Sequence, residues 1–466
     1  MPPDPTDSTR SSPAPSKGAK GVAARTPSLG VIFLTLYLDL VGFSIIFPLF
    51  PEMLDYYLGR EGHGGLLGAV LAGLDRFAAW TGGGEHFTPV LFGGFLGSLY
   101  SLLQFVCAPI WGGLSDKHGR RKVLLVTVGG TALSYALWVF SGSFLFLVLA
   151  RLFGGAMAGN ISVATAAVAD VTSRDDRAKG MGMVGAAFGL GFVTGPAIGG
   201  FTAHFNLLDW QPGLAAWGIN PFSVPALVAF ALAVVNLAWV AARFGESLPP
   251  ERRAREHPVR ARDPLKLLRL RFEPAVRRTL QAHFVFIFAF SGLEFSLSFL
   301  AVERFDFSLR QITMMMVYIG LVLIVTQGGI VRRAAPRIGE KRLAIGGLVI
   351  LMGGFWTLSQ AGTVGALYAG LTLTALGAGC TTPALSALVS LYAPPERQGA
   401  ALGAFRALGS LGRALGPIVA ASVFWLYGSD TSYAAGGLLL VVPIFAATRL
   451  PPVPRHAETP VEPDAL

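Results

Sequence analysis

The feature that most constrains this chain is a series of long apolar runs, each separated from the next by a short polar connection. About 20 apolar residues cross the hydrocarbon of a bilayer as an α-helix, and by this criterion we count twelve spans. Charged residues make up 14% of the sequence, whereas a soluble domain carries about 25%. The chain is therefore predicted to be an all-α membrane protein with spans near 29–52, 88–113, 122–142, 144–170, 179–203, 220–243, 279–302, 312–333, 342–361, 363–391, 399–425 and 432–449.

The basic residues between these runs indicate the orientation of the chain. Lysine and arginine accumulate in the cytoplasmic connections of membrane proteins. The connection 112–122, GGLSDKHGRRK, carries four of them, and the segment from Arg243 to Arg278 carries eleven. The connections on the other side carry four in total. An even number of spans places both termini on one side, so we expect a multi-pass inner-membrane protein with both termini in the cytoplasm.

The composition excludes several other classes of protein. The net charge is +10, but the basic residues lie between the apolar runs as topology signals, so we expect a lipid bilayer and no nucleic acid as a partner. Cys107 and Cys380 both lie inside apolar runs, which predicts neither a disulfide nor a metal site. Nothing resembles a phosphate-binding loop or a nucleophile elbow, so we expect no cofactor and no enzymatic activity.

Three polar segments delimit the domains of the chain. The stretch LKLLRLRF at 265–272 suits an interfacial helix within the second of them. The predicted domains are, in order, a disordered cytoplasmic tail 1–28, a six-helix bundle 29–243, a basic cytoplasmic linker 244–278, a second six-helix bundle 279–450 and a cytoplasmic tail 451–466.

The first outward loop, 55–87, is unusually long. Its stretch LLGAVLAGLDRFAAW at 66–80 has helical periodicity. Two interpretations stay open: a short helix that lies over the outer face, or a lid over a transport pathway.

The two predicted bundles repeat each other. Gly195-Pro196 recurs as Gly416-Pro417, 221 residues later, and Gly119 recurs as Gly339, 220 residues later. A basic residue shortly before a glycine also recurs, as Arg177 to Gly180 and Arg397 to Gly399. A duplicated six-helix unit is a common plan of transporters.

The turn, the spans and the duplication together resemble the major facilitator superfamily. The family's signature G-x-L-x-D-x-x-G-R-R/K is matched at Gly112, Leu114, Asp116, Gly119, Arg120 and Arg121. Arg151 in LARLFGG resembles the family's fourth-span arginine motif. The segment LDLVGFSIIFPLFP at 38–51 and the stretch ADVTSRDDRAKG at 169–180 resemble tetracycline/proton antiporters and related drug exporters.

This resemblance implies a cytoplasmic gate built from Gly112, Asp116, Gly119, Arg120, Arg121 and Asp170. Arg120 pairs with Asp170 in such a cluster, and Asp116 accepts backbone N–H groups at the N-terminus of span 11, near 399–403, where a helix dipole favours anions. The alternative is that Asp116 is a solvated charge in a turn. In the second half Pro336 or Arg337 stands where the acid should be, so we expect a one-sided gate.

Three ionisable residues inside spans are predicted to couple transport to protons. Asp39 and Glu294 lie deep in spans 1 and 7, and intramembrane carboxyl groups are typical of proton relays. Arg151 lies in span 4 and is linked to proton coupling in the resembled family. The alternatives are hydrogen-bonded structural acids, an Arg151 that extends outward to water, and a Glu294 that is neutralised by Arg413.

Span 5 carries glycines at every fourth position. This stripe lets two helices approach closely, and the resemblance adds an antiporter motif that seals the outer contact and favours export. The motif residues are Gly191, Gly195, Pro196, Gly199 and Gly200.

Isolated polar residues inside spans are candidates for the substrate pathway or for interhelical hydrogen bonds. We predict substrate contacts at Gln104, Asn160, Tyr318, Gln327 and Arg413.

The predicted function is export of small amphipathic or hydrophobic compounds by a proton-coupled antiporter, as in multidrug or tetracycline efflux. Two six-helix bundles rock about a central site in such a protein. The expected partners are a small-molecule substrate, protons and lipid, and we expect a monomer. The alternatives are a metabolite, sugar or lipid carrier of the same fold with different coupling, and a membrane sensor or scaffold that transports nothing.

Overall fold

The computed structural model describes residues 27–62, 64–81, 88–172, 177–250, 253, 272–394 and 398–452. Three predicted segments lie largely outside these residues: the interfacial stretch 265–272 except its last residue, the tail 1–28 except its last two residues, and most of the tail 451–466.

The first half of the chain forms six membrane-crossing helical spans. Span 1 comprises Leu29–Ser44, a 3₁₀ turn Phe47–Leu49 and Phe50–Glu61, and span 4 comprises Phe144–Met157 and Asn160–Val171. The other spans of this N-half are Thr88–His118, Arg120–Val139, Arg177–Thr202 and Ser223–Arg243.

The second half, the C-half, begins with span 7, Pro274–Phe305. Span 8 comprises Leu309–Val325, a π-helical stretch Thr326–Val331 and Arg332–Ile338. Spans 9 and 10 are Glu340–Ser359 and Val364–Tyr392, and the remaining helical stretches are Gln398–Leu439 and Val441–Thr448.

The last apolar stretch contains two crossings. Among the described residues eleven helical stretches are long and apolar enough to cross a membrane, and the eleventh, Ala401–Thr448, has 48 residues. At 1.5 Å per residue such a helix is about 72 Å long, more than twice the hydrocarbon thickness. Gly428 breaks the helix with φ +81°, which separates span 11 from span 12. The predicted all-α fold of two six-helix bundles is confirmed.

The internal repeat extends to individual turn residues. Gly119 and Gly339 each begin a 20-residue helix, with φ/ψ of 95°/150° and 80°/156°. A positive φ favours glycine, which explains this residue at both turns. Ser143 and Thr363, also 220 residues apart, both accept a hydrogen bond at the start of the next helix. We call the end of the bundle that carries Gly119 and Gly339 the basic end, and the other end the opposite end.

Span 1 is longer than predicted. Its apolar run predicts an end at 52, but the helix continues to Glu61. Pro48 and Pro51 are the second residues of the 3₁₀ turn and of the following helix. The N–H groups at the start of a helix have no acceptor within it, so a proline there loses no hydrogen bond and the span continues.

The long loop contains the helix Gly65–Thr81. This helix packs against span 1 and span 4 of its own half, with Leu67 and Leu71 buried. That position is peripheral, which favours the surface-helix interpretation over the lid.

The two halves pack closely near the opposite end. A Cβ at Gly94 of span 2 would lie 2.7 Å from Ala421 Cβ of span 11, and one at Gly200 of span 5 would lie 1.7 Å from Thr313 Oγ1 of span 8. Neither position has space for a methyl group, so each glycine backbone lies directly against a side chain of the other half.

Arg304, at the opposite end of span 7, binds two connections of the C-half, the one between spans 9 and 10 and the one between spans 11 and 12. Its Nη1 donates to the carbonyl oxygens of Leu358, Ser359 and Ala361 at 3.0–3.2 Å, and its Nε donates to Ser429 at 3.0 Å. It also pairs with the exposed Asp430.

We predict that Arg304→Ala lowers the free energy of unfolding by about 2–4 kcal/mol, because several charge-assisted hydrogen bonds to carbonyl groups are lost. Asp430→Ala is the matched control. It removes only the exposed ion pair, which contributes less than about 1 kcal/mol. The measurement is Tm in detergent, and equal decreases in Tm for the two variants would contradict the prediction.

Candidate functional site

Four polar side chains surround Arg120 at the basic end. Arg120 is 6% exposed. Its Nε donates to Asp170 Oδ2 at 2.9 Å, and its Nη1 donates to Asp116 Oδ1 at 2.5 Å and to Ser115 Oγ at 2.7 Å. Glu246 Oε1 accepts from the backbone N–H of Arg120 at 2.8 Å. This group, the basic-end cluster, joins spans 2, 3 and 4.

The cluster includes the start of the linker, which the sequence analysis did not anticipate. Glu246 Oε1 also accepts from Leu248 N at 3.1 Å, and Ser247 Oγ donates to Asp170 Oδ2 at 3.1 Å. A Cβ at Gly119 would lie 2.3 Å from Glu246 Oε2, so a side chain at this position would collide with the carboxylate. The available signal was the position of Glu246, the first acid after the end of span 6.

All of these contacts lie within the N-half. The predicted contact of Asp116 with the N-terminus of span 11 stays a prediction. Arg121 Nη2 donates to Ala241 O at 2.7 Å, and Gly112 lies against Ser162 of span 4. The predicted gate residues are therefore together in space, and their gating role stays a prediction.

Asp39 is paired with Asn160. The Asn160 amide donates to Asp39 Oδ1 and lies 3.5 Å from Thr131 Oγ1. Span 4 breaks just before this residue, and Trp111 Nε1 donates to Ala156 O at 2.7 Å beside the break. Asn160 is 1% exposed, so it contacts the predicted proton carrier and not open space.

Arg151 is buried without full hydrogen bonding. It is 4% exposed, and its guanidinium lies 4.7 Å from the ring centroid of Tyr100 and 6.0 Å from that of Phe43. Among the described residues its Nε and Nη2 have no hydrogen-bond partner. The structure records no ion pair between Arg151 and Asp39 within its described residues.

A cavity lies between the halves beside Arg151. Its C-half wall includes Ser291, Glu294 and Arg413. The rest is largely aromatic, with Phe43, Phe47, Phe50, Phe192 and Phe295. The rings of Phe50 and Phe295 lie 5.1 Å apart across the two halves. We call this space the central cavity.

Of the five predicted substrate residues, Arg413 lines the central cavity. Tyr318 OH is 2.7 Å from Thr372 Oγ1 of the same half. Gln327 contacts Gly189 between spans 8 and 5, and Gln104 is buried one helical turn from the lining residue Ser101. These three, with Asn160, occupy interhelical positions.

The glycine stripe of span 5 packs on span 1. A Cβ at Gly191 would lie 2.5 Å from Leu40 Cβ, and Cβ atoms at Gly195 and Gly199 would lie 2.0 Å from Ser44 Oγ and from Ile45 O. Pro196 lies inside the helix. Of the motif, Gly200 faces the other half, at the opposite end.

Comparison with known sequences identifies the family. Residues 32–417 and 332–465 match the family model described as Major Facilitator Superfamily. The chain is 37% identical over 440 residues to human major facilitator superfamily domain-containing protein 10, covering 90% of this chain and 92% of that protein. The chain belongs to the major facilitator superfamily.

This superfamily member also resembles more distant proteins. It is 28% identical over 398 residues to the class C tetracycline resistance protein of Escherichia coli, covering 85% of this chain and 89% of that protein. The crystal structure of the human organic anion transporter MFSD10 (TETRAN) has a TM-score of 0.74 and 35% identity, covering 90% of this chain and 98% of that one. A bacterial homologue of the lysosomal transporter Spinster, inward-facing and unoccupied, has a TM-score of 0.62 at 14% identity and shows the fold alone.

The superfamily membership confirms a membrane transporter that is not an enzyme. Resemblance to tetracycline resistance proteins is also confirmed, alongside a second group of relatives that the sequence analysis did not name.

We predict that Glu246→Ala destabilises this transporter by about 1–3 kcal/mol, because two backbone N–H groups at the basic end lose their acceptor. Glu273→Ala is the matched control, since Glu273 precedes span 7 but makes no side-chain cap. The measurement is again Tm in detergent. A Glu246→Ala variant as stable as the Glu273→Ala variant would show that the linker start is not part of the fold.

Proposed function

We propose that this protein transports small organic anions with an apolar or aromatic body by alternating access, and that transport is coupled to protons. The observation that carries the proposal is the buried guanidinium of Arg151, which lies beside an aromatic cavity. Its Nε and Nη2 have no hydrogen-bond partner in the part of the chain that the structure describes. A buried charge without acceptors is costly, and a substrate carboxylate supplies the missing acceptors. Arg413 provides a second cation on the facing half.

The similarity to the human protein supports this substrate class, since that structure is described as an organic anion transporter. The aromatic wall supports an apolar body on the substrate, because flat rings offer large contact areas to one another.

Glu294 supports a specific form of proton coupling. It lines the cavity together with Arg413 and lies within electrostatic range of it. An ionised Glu294 competes with a substrate carboxylate for the Arg413 charge, and protonation removes this competition. Proton and anion then bind cooperatively, so they cross the membrane together.

This coupling differs from the exchange expected from the resemblance to antiporters, in which cargo and proton compete. The second candidate function is therefore export of tetracycline-like drugs by proton antiport, favoured by the tetracycline resistance relatives. Asp39, held by Asn160, is the proton carrier that this candidate requires. The residues of the basic-end cluster are proposed as its gate on the cytoplasmic side.

We predict that 1-naphthoate binds the purified protein and enters proteoliposomes, whereas the neutral 1-naphthamide does neither at the same concentrations. Arg151→Gln should raise the Kd of naphthoate tenfold or more, since a charge-assisted hydrogen bond contributes about 1.5–3 kcal/mol. Arg310 is an exposed arginine at the opposite end. Arg310→Gln removes the same charge as Arg151→Gln and is the control. Equal transport of naphthoate and naphthamide would exclude the proposal of anion transport and leave drug export as the candidate function.

Proton coupling is tested by the pH dependence of naphthoate binding. In the wild type, Kd should rise as pH increases from 5.5 to 8.5, because Glu294 loses its proton and competes for Arg413. Glu294→Gln imitates the protonated acid, so its Kd should be low and should change by less than about twofold over this range. If Asp39→Asn removes the pH dependence and Glu294→Gln keeps it, Asp39 carries the coupled proton instead.

A further inference from the structure

One aromatic ring of the C-half lies against the backbone of the N-half. Phe295 of span 7 is 9% exposed and lines the central cavity. Its Cζ is 2.7 Å from the position that a Cβ at Gly93 of span 2 would take, and its Cε2 is 2.9 Å from the same position at Gly97. The ring therefore rests directly on span 2, with no space for a methyl group between them.

Two glycines one helical turn apart make this contact. Residues at i and i+4 lie on the same face of a helix, so Gly93 and Gly97 form one flat surface under the ring, which we call the glycine seat. The ring of Phe50 in span 1, which is 1% exposed, has its centroid 5.1 Å from that of Phe295. A ring of one half thus contacts two spans of the other half.

This part of the cavity wall cannot retreat while the halves stay together. The seat is backbone, which has no rotamers, and protein interiors are packed too densely to accept a displaced ring. Phe192, another ring that lines the cavity, packs instead with Phe43 and Phe47 of its own half. A shift of those rings requires no movement between the halves, whereas a shift of Phe295 does.

The glycine seat is also next to the closure of the opposite end. Gly94 lies between the two glycines of the seat, and a Cβ there would lie 2.7 Å from Ala421 Cβ of span 11. One short stretch of span 2 therefore packs against both span 7 and span 11 of the C-half. Pressure on the Phe295 ring from the cavity acts on this contact, because the ring transmits it to span 2.

We propose that Phe295 sets the upper size limit for the apolar body of a substrate, and that a body above this limit keeps the opposite end from closing. A small ring system fits beside Phe295 and leaves it on the glycine seat. A larger one fits only when Phe295 leaves the seat, which separates spans 2 and 7. This inference rests on the proposed transport of aromatic anions and adds a size limit with its structural cause.

The size limit is tested with two acids, 1-naphthoate and the larger pyrene-1-carboxylate. The measured quantity is the ratio of the pyrene Kd to the naphthalene Kd for the purified full-length protein. Phe295→Leu should lower this ratio at least about tenfold, because it relieves the overpacking that the larger acid causes. The ratio compares two ligands of one variant, so a loss of stability does not change it.

Phe299→Leu is the matched control for this ratio. It makes the same change one helical turn further along span 7, at a ring that also lies against Gly93. Phe299 is not among the described residues that line the central cavity. Its Kd ratio should therefore stay within about twofold of the wild-type ratio.

The link to closure is tested by the distance between spin labels on the two halves at the opposite end. Gln211→Cys and Gly362→Cys place the labels at exposed positions, in protein with Cys107→Ser and Cys380→Ser. In the wild type, pyrene-1-carboxylate should increase the population with the longer distance, and naphthoate should not. In Phe295→Leu neither acid should increase it.

Gly97→Ala tests the glycine seat without any ligand. The added methyl group takes space that the Phe295 ring occupies, so the ratio of long-distance to short-distance populations should rise about fivefold or more. The double variant Gly97→Ala/Phe295→Leu should return to the wild-type distance, because the smaller side chain leaves space for the methyl group. Gly353→Ala in span 9 is the control, since a Cβ there meets nothing within 4 Å.

Each other result overturns a defined part. An unchanged Kd ratio in Phe295→Leu, or an equal change in Phe299→Leu, excludes Phe295 as the size limit and leaves anion transport intact. Wild-type distances in Gly97→Ala, or no response of the wild-type distance to pyrene-1-carboxylate, exclude the link to closure. No binding of either acid to the wild type rejects the proposed function and the size limit with it, whereas the distances without ligand still decide the role of the glycine seat.

Discussion

The cost of placing charge inside an apolar membrane protein governs how this structure is arranged. A charged side chain at membrane depth is rare and needs a partner, water or a function. Arg304, near the opposite end, meets this requirement with three carbonyl groups and Ser429. Arg120, at the basic end, meets it with two carboxylates. Arg151 does not meet it within the described residues. The difference separates the arginines that hold the fold from Arg151, which we propose binds a ligand.

The same cost connects stability with transport. In the proposed function, an anion that binds Arg151 and Arg413 removes the cost of burying these charges, which the empty protein carries. This gain contributes to binding without any new contact within the protein. Glu294 reduces that penalty in the empty state, because it lies near Arg413. Under the proposed function, a proton on Glu294 restores the penalty and with it the affinity for an anion. The direction of proton coupling therefore depends on the charge of the substrate. With the same residues, an anion would bind together with the proton, whereas a cation would compete with it.

The sequence predicted the parts of the structure that depend on local chemistry. Apolar run length predicted the spans, and recurring glycines predicted the turns at Gly119 and Gly339, because helix length and backbone conformation are set by nearby residues. Contacts between distant residues were harder to predict. The pairing of Asn160 with Asp39 spans 121 positions and that of Glu246 with Arg120 spans 126, and no periodicity in the chain records such separations.

The two halves close their basic ends by the same plan with different chemistry. In the N-half the segment after span 6 supplies carboxylate Glu246 to the turn before span 3. In the C-half the segment after span 12 supplies backbone carbonyls: Leu450 O accepts from Lys341, and Pro451 O accepts from Tyr392 OH at 2.6 Å. Arg120 of the first half is replaced by Glu340 in the second, so a carboxylate there would be repelled. Because each half is closed by its own terminal segment, the halves can rock against each other without breaking either closure.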